Sequence, residues 1–182
     1  MHSFCSTQFN LYGEVGDRIA RFSSELPDEI IYEDPEDTSY GRENQPHITV
    51  KYGLHDYDPG KLEVLLGAVP PVPVTLGKIS KFESDDYDVL KIDIESPELH
   101  ELNAFIAGNF EVTDTHPEYK PHATIAYVKP GTGDEYLGDG SFEGMQCMCD
   151  TLLLSGREDD QLANIPLAAN TMDDAVSLLT AP

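Results

Sequence analysis

Two short stretches of this sequence share residues that could perform acid–base chemistry. The first, NQPHITVKYGL, contains His47 and Thr49, and the second, YKPHATIAYVKPG, contains His122 and Thr124. Aligned on the histidines, the stretches also share a preceding proline and a later tyrosine, at Pro46/Pro121 and Tyr52/Tyr127. A single His-x-Thr carries little information, whereas two copies with the same flanking residues indicate a functional unit that is used twice.

Side chains alternate between the two faces of a strand, so each motif predicts one polar face and one apolar face. His47, Thr49 and Lys51 would share the polar face of the first strand, and His122 and Thr124 that of the second. Two facing imidazoles suit in-line cleavage of a phosphodiester, because one can accept the nucleophile's proton while the other protonates the leaving oxygen. The threonine hydroxyls could bind the phosphoryl oxygens, and Lys51 could add a cation.

Metal binding is an alternative chemistry for paired histidines, since zinc sites combine three or four Cys, His or carboxylate ligands. His55 and Asp56 follow the first motif, but nothing similar follows the second, so the sequence favours chemistry without a metal or another cofactor. The acid-rich stretch GDEYLGDGSFEG lacks the spacing of an EF-hand loop and is predicted as a plain loop. The other histidines that lack any partner pattern are expected to be structural or exposed: His2, His100 and His116.

Local patterns predict the order β-α-β-α-β-β-α-β-β for the elements that position the motifs. The predicted strands are TQFNLY, residues 47–54, VPVTLGKISKF and DVLKIDIES as a hairpin, residues 122–128, GMQCMCDTLLLSG, and a brief edge pairing at NIPLAA. The predicted helices are VGDRIARFSSELP, PGKLEVLLGAV and PELHELNAFIAGNF. Residues 33–45 are acidic and lack an apolar period, which predicts an exposed loop.

Each half of the chain has its own His-x-Thr strand, which indicates an internal duplication. We therefore predict an α+β fold of two pseudosymmetric lobes, with antiparallel sheets that line a central cleft and helices outside. The 182 residues are enough for one such domain, predicted over 1–169, with 170–182 as a loosely docked tail. The polar faces of the two strands would meet across the cleft.

The charge of the chain limits its partners. There are 34 acidic and 11 Lys and Arg residues, for a net charge of −23. Such a surface repels long nucleic acids and anionic membranes, because both are bound mainly through cationic groups. Solubility or a salty cytoplasm explains the acidity, and a phosphate-bearing substrate must be small enough to enter a local pocket. The absence of a signal-like segment, and the odd number of three cysteines, favour a reducing cytoplasm.

The paired motifs closely resemble the two-histidine phosphoesterase superfamily, which includes 2′-5′ RNA ligase-like proteins and cyclic nucleotide phosphodiesterases. The resemblance covers about residues 4–169 and implies a bilobal fold, metal-independent chemistry, and a catalytic set of His47, Thr49, His122 and Thr124. Members open 2′,3′-cyclic phosphates, cleave 2′-5′ linkages or degrade cyclic oligonucleotide messengers. The chain looks most like the phage branch, which includes anti-CBASS nucleases. Many ligase-like members carry arginine where this chain has Tyr52 and Tyr127, which weakens a 2′-5′ RNA ligase assignment.

Three further aromatic residues are candidates for stacking on a nucleobase: Tyr12 on the first strand, Tyr40 in the acidic loop and Phe82 at the hairpin. Strand alternation instead assigns Tyr52 and Tyr127 to the core.

The sequence predicts a phosphodiesterase acting on small cyclic or oligonucleotide substrates, such as cyclic di- or trinucleotide signals, as a monomer or small homo-oligomer. Three alternatives remain open. One is a 2′,3′-cyclic phosphodiesterase or 2′-5′ RNA ligase-like RNA-processing enzyme. The second is a protein that sequesters a nucleotide without cleaving it, and the third is a domain that keeps the fold for interaction alone. Intact histidines favour an enzyme, because sequestration needs no matched acid and base.

Overall fold

The computed structural model describes residues 4–55, 58–116, 118–156 and 161–168. Its strands are β1 (Cys5–Asn10), β2 (His47–Leu54), β3 (Val72–Phe82), β4 (Asp88–Glu95), β5 (His122–Val128), β6 (Gln146–Cys149), β7 (Thr151–Ser155) and β8 (Gln161–Pro166). Its α-helices are α1 (Gly13–Glu25), α2 (Pro59–Leu66) and α3 (Pro97–Asn109). The predicted tail, 170–182, lies outside the described residues.

The eight strands form one sheet in the order β6-β3-β4-β5-β2-β1-β7-β8. All neighbouring strands are antiparallel. Strands β2 and β5, which carry the two motifs, are adjacent at the centre of the sheet. The predicted α+β class is confirmed, with the two predicted halves joined in a single continuous sheet.

The prediction of one strand at GMQCMCDTLLLSG is wrong, because this stretch contains both β6 and β7. Strand β6 pairs with β3 at one end of the sheet, whereas β7 pairs with β1 and β8 near the other end. Only Asp150 separates them, and one trans peptide unit spans about 3.8 Å between Cα atoms. The two ends of the sheet must therefore lie close together, which curls the sheet into a half-barrel. The predicted edge pairing at NIPLAA is confirmed as part of β8.

Local capping explains where two of the helices begin. Helix α2 starts at a proline, and the Asp58 side chain accepts a hydrogen bond from the Lys61 N–H at 2.9 Å. Helix α3 also starts at a proline, with Ser96 as the equivalent cap of the Leu99 N–H at 3.2 Å. In the described part of the chain, no helix has both the length and the apolar composition to cross a lipid bilayer.

The central strands touch through one bridge, Ile48 with Ala123, and then diverge. The segment that leads into β2 runs along the free edge of β5, where the Glu43 N–H donates to the Ile125 carbonyl at 2.9 Å. In the same way, the segment that follows α3 runs along the free edge of β2, where the Thr113 N–H donates to the Gly53 carbonyl at 2.9 Å. Each half of the chain thus supplies a segment that forms backbone hydrogen bonds with the free edge of the other half's central strand.

The helices and one face of the sheet share one apolar core. Ile48 and Ala123, which bridge the two central strands, are fully buried in this core. The buried apolar residues of the helices belong to the same cluster: Val15, Ile19, Leu62, Leu66, Leu99, Leu102 and Ile106. The residues that alternate with the core positions at the start of β2 and β5 are only half-buried, so the motif side chains lie on the opposite face of the sheet.

Candidate active site

The register between β2 and β5 brings the two motifs together on one face of the sheet. Because the strands are antiparallel and Ile48 pairs with Ala123, Thr49 lies on the side of His122 and His47 on the side of Thr124. All four motif residues flank the buried bridge and point away from the core. The structure therefore brings together the four residues that the sequence predicted as a unit.

Both imidazoles are oriented in the same way. Nδ1 of His47 lies 3.1 Å from the Gln45 carbonyl oxygen, and Nδ1 of His122 lies 2.7 Å from that of Lys120. A carbonyl oxygen can only accept, so each Nδ1 carries a proton and each Nε2 remains available for proton transfer.

The prolines before the histidines are also held alike. The Pro46 carbonyl accepts from the Leu11 N–H at 2.8 Å, and the Pro121 carbonyl accepts from the Ile94 N–H at 3.1 Å. Proline lacks an N–H, so the backbone of each proline is held through its carbonyl. The flanking prolines shared by the two motifs therefore fix the start of each histidine strand.

The two threonine hydroxyls share the face of the histidines. Within the described residues, neither hydroxyl has a hydrogen-bond partner, so both can donate to a bound phosphoryl group. The main chain at Thr49 is held by the Tyr119 hydroxyl, which donates to the Thr49 carbonyl at 2.9 Å. Burial raises the pKa of Tyr119, which keeps this hydroxyl protonated.

A β-bulge in each central strand changes the predicted alternation. In β2 the register shifts between Thr49 and Lys51, so that Val50 is the extra residue. In β5 the equivalent shift makes Ile125 the extra residue, because Leu90 pairs with Ala126 and Lys91 with Thr124. A bulge places two consecutive side chains on one side of the strand. The two bulges occupy equivalent positions in the two motifs.

The predicted position of Lys51 beside the histidines is wrong because of this bulge. Lys51 pairs with the fully buried Thr7 and is itself only 7% exposed. Its ammonium lies 2.5 Å from Asp114 Oδ1, in the segment that runs along the edge of β2. Lys51 thus holds this segment on the core side of the sheet, away from the motif face.

The prediction that Tyr52 and Tyr127 belong to the core is wrong for the same reason. Both side chains are only half-buried, and after the bulge both lie on the motif face. Tyr127 pairs with Val89, which also pairs with Phe82 on that face.

Tyr127 belongs to a tyrosine cluster at one end of the motif face. The cluster also contains Tyr32, Tyr40 and Tyr87, with centroids of neighbouring rings 4.9 to 5.4 Å apart. Burial and a hydrogen bond to Tyr87 raise the pKa of Tyr40 to about 12. Tyr40 therefore packs among other rings. The predicted candidate Tyr12 lies two residues beyond β1, directly before α1, and is 78% exposed.

The third predicted aromatic, Phe82, lies directly against the motif. Its ring meets the His122 ring edge-on, with centroids 5.0 Å apart. The Lys91 ammonium lies 4.3 Å from the centre of the same ring. Lys91 is the residue that sequence reasoning missed, although the alternation in DVLKIDIES places it on a polar face together with Asp93.

Burial lowers the pKa of His122, and the positive charge of Lys91 and the nearby His47 lower it further. The hydrogen bond to the Lys120 carbonyl and the charge of Asp93 oppose this shift without reversing it. His122 is therefore biased towards the neutral imidazole, the form that can accept a proton.

The other histidines lie outside this constellation. His55 lies 2.7 Å from the Thr113 hydroxyl and 3.4 Å from a Glu111 oxygen, and the His100 ring packs against Tyr119. His116 is exposed, and His2 and Asp56 fall outside the described residues. Across the described ranges, no three His, Cys, Asp or Glu side chains gather in a way that could hold a metal ion.

The predicted loop at 133–144 is a turn with one short 3-10 helix, Asp134–Tyr136. Two of its carboxylates have protein partners: Asp134 pairs with Lys81, and Asp139 accepts from the Ser141 N–H at 2.6 Å.

Comparison with known proteins gives one family and a set of similar folds. The family model of the 2′-5′ RNA ligase superfamily matches residues 59–160, a range that includes the second motif. No curated protein sequence matches the chain.

Three solved structures illustrate the similarity of fold. TT0787 of Thermus thermophilus has a TM-score of 0.63 at 13% identity, covering 92% of this chain and 100% of that protein. LigT of E. coli, solved in complex with 3′-AMP, has a TM-score of 0.58 at 15% identity, with 90% and 94% covered. Usb1 of Kluyveromyces marxianus, solved with uridine monophosphate, has a TM-score of 0.56 at 10% identity, with 90% and 98% covered.

Proposed function

We propose a function for this chain from its family: it belongs to the 2′-5′ RNA ligase superfamily of two-histidine phosphoesterases. The proposed function is that of a metal-independent phosphodiesterase for small cyclic or oligonucleotide substrates. In this proposal the catalytic residues are His47, Thr49, His122 and Thr124. One imidazole accepts the proton of the attacking oxygen, and the other protonates the leaving oxygen on the opposite side of the phosphorus. The two hydroxyls bind the non-bridging oxygens, where negative charge must be stabilised.

The observation that carries this proposal is the matched orientation of the two imidazoles. Both Nδ1 atoms are held by the carbonyl two residues earlier, at 3.1 Å and 2.7 Å, so both Nε2 atoms remain available on one face of the sheet. Two such histidines, each with a threonine hydroxyl beside it, supply an acid, a base and two donors for one phosphate.

The charge of the chain supports a small substrate. A net charge of −23 leaves few cations to neutralise successive phosphates of a polymer. The cations near the motif are few, and Lys91 is only 4% exposed. Similar folds have been solved with single nucleotides, 3′-AMP in LigT and uridine monophosphate in Usb1. We place cyclic di- and trinucleotides first and 2′,3′-cyclic mononucleotides second.

Substrate bases would stack on the aromatic side chains around the motif. Phe82 is the best placed, because its ring already contacts His122. Tyr12 is exposed beyond the end of β1, next to Asn10, and Tyr40 packs against Tyr127 in the tyrosine cluster. A cyclic dinucleotide has two bases and so can use two such positions, each worth about 1–3 kcal/mol. A cyclic signal as substrate agrees with the resemblance of the motifs to the phage branch, which includes anti-CBASS nucleases.

The test is a competition between a cyclic dinucleotide and a long RNA with a 2′,3′-cyclic end, followed by chromatography of the products. The cyclic dinucleotide is expected to be cleaved preferentially at low salt, and the preference should weaken as salt screens the repulsion. The His116→Ala variant is the matched control, since it removes an exposed histidine outside the site. Preference for the long RNA at low salt would contradict the proposed substrate size. Tight binding without any product would indicate a sequestering protein.

A further inference from the structure

The two halves of the site differ in charge, although their backbones match. In the second half, Asp93 pairs with His122 and Lys91 pairs with Thr124 across β4 and β5. In the first half, the equivalent partners on β1 are neutral amides, because Asn10 pairs with His47 and Gln8 with Thr49. The equivalent positions therefore hold an ammonium and a carboxylate on one side and two amides on the other.

Lys91 is held rigidly in this position. Its ammonium lies 2.5 Å from Asp93 Oδ1 and 2.6 Å from the Ser80 hydroxyl oxygen, which in turn donates to Asp93 at 2.7 Å. It also lies over the Phe82 ring, and the residue is only 4% exposed. An ammonium has three N–H donors, of which Asp93 and Ser80 take two. Lys91 thus holds a fixed positive charge on the strand beside Thr124.

The histidines consequently have different charged neighbours. His122 is faced by Lys91 and Asp93 from β4 and by His47 from β2, while Phe82 of β3 covers one side of it. Burial, Lys91 and His47 lower the pKa of His122, which favours its neutral form. His47 instead has the Glu43 carboxylate 3.6 Å from its Nδ1, and this carboxylate can form an ion pair with a protonated ring. The amides of Gln8 and Asn10 add no charge on that side.

We propose, on the basis of the function proposed above, that the site works in one direction, with His122 as the base, His47 as the acid, and Lys91 as the positioning residue that makes them different. His122 Nε2 accepts the proton of the attacking hydroxyl or water while the new O–P bond forms. The bond from phosphorus to the leaving oxygen breaks, and His47 Nε2–H transfers its proton to that oxygen. His122 then holds the proton that His47 has lost, and exchange with solvent restores both.

In this direction the nucleophile approaches from the His122 side, and the leaving group departs towards His47. The leaving group thus lies near the uncharged side chains on β1 and just beyond it. There the Gln8 amide donates to the Asn10 side chain at 2.9 Å, and the Asn10 amide donates to the Tyr12 hydroxyl at 3.1 Å. Neutral amides and a phenol suit an uncharged sugar and base.

Two substrates that differ only in the leaving group test the direction. Uridylyl-3′,5′-uridine has an alkoxide leaving group that needs an acid, whereas uridine 3′-(p-nitrophenyl phosphate) releases a stable phenolate that does not. The His47→Ala variant is expected to lose about 10²–10⁴-fold in kcat/KM on the dinucleotide and less than about tenfold on the activated ester. The His122→Ala variant is expected to lose about 10²–10⁴-fold on both.

The opposite pattern, or equal losses on both substrates in both variants, would overturn the direction while leaving the proposed function intact. A wild-type protein that cleaves neither of these substrates, and does not cleave a cyclic dinucleotide, would contradict the proposed function and the direction with it. The two failures are therefore distinguishable in one set of assays.

The pH dependence on the activated ester tests the role of Lys91. Lys91 lowers the pKa of His122, so Lys91→Met should raise that pKa and move the acidic limb of kcat/KM to higher pH, by on the order of half to one unit. The charge of Asp93 raises the pKa of His122, so Asp93→Asn should move the acidic limb to lower pH.

A purely structural disturbance would not give opposite shifts in these two variants. Lys91→Arg keeps the charge and should restore the wild-type limb, while Lys129→Met removes a cation that contacts the Glu29 carbonyl and serves as the control. If the acidic limb of kcat/KM stays at the wild-type pH in both Lys91→Met and Asp93→Asn, the role of Lys91 is overturned.

Discussion

The buried carboxylate of Asp88 is expected to be a main determinant of stability where β3 turns into β4, close to Phe82. Asp88 is 1% exposed and accepts from the Lys81 ammonium at 3.0 Å, the Gly131 N–H at 3.0 Å and the Ser84 N–H at 3.3 Å. It thereby joins the end of β3, the turn before β4 and the loop after β5. Removing one partner of a buried ion pair costs about 3–5 kcal/mol. Lys81 retains the largely exposed Asp134, so Asp88→Asn should cost about 3 kcal/mol.

Urea denaturation followed by circular dichroism measures this loss. With a slope of about 2 kcal/mol/M, a loss of 3 kcal/mol lowers the unfolding midpoint by about 1.5 M. Asp86→Asn is the matched control, because Asp86 is an exposed aspartate in the same turn. A midpoint within about 0.2 M of the wild type would refute the reasoning.

The pH dependence provides an independent check on Asp88. Burial alone would raise the pKa of this carboxyl, but the hydrogen bonds from Gly131, Lys81 and Ser84 and the charge of Lys81 lower it below its ordinary value. A lowered pKa in the folded state means that the contribution is fully present above about pH 4 and is lost as the pH falls through the folded pKa. The difference between wild type and Asp88→Asn should therefore shrink in acid, and a difference that grows in acid would contradict the assignment.

Three further outcomes are expected, two for the candidate active site and one for Lys51. The pH profile of kcat/KM should be bell-shaped. Its acidic limb should lie below the ordinary histidine pKa of about 6.5, because the pKa of His122 is lowered. A flat profile would exclude acid–base catalysis by His47 and His122. Turnover should survive EDTA and metal stripping, and a need for added zinc or manganese would refute the two-histidine mechanism. Lys51→Met should leave kcat/KM within about twofold of the wild type. It should lower the free energy of unfolding by about 1 kcal/mol, since its partner Asp114 is largely exposed. Loss of activity at unchanged stability would indicate that Lys51 acts in the active site.

The elements of the fold were largely predictable because their signals are local. Proline at the start of α2 and α3, with Asp58 and Ser96 as caps, marks the helix starts in the sequence itself. The bounds of β2 and β5 agree with the predicted 47–54 and 122–128. The break at Asp150 was missed, because β6 and β7 are separated by their partners at opposite ends of a curled sheet and not by any local turn signal.

The repeated motif by itself determined which four residues form the candidate site, because two copies with the same flanks specify both strands and the first side chains on each. Only the tertiary structure decided which later side chains join them. The bulges at Val50 and Ile125 move Lys51 to the core side and Tyr52 and Tyr127 to the motif face. A bulge depends on the register with the neighbouring strand, so alternation within one strand cannot reveal it. The same register places Lys91 beside Thr124, and this contact between distant parts of the chain is what makes the two halves of the site unequal.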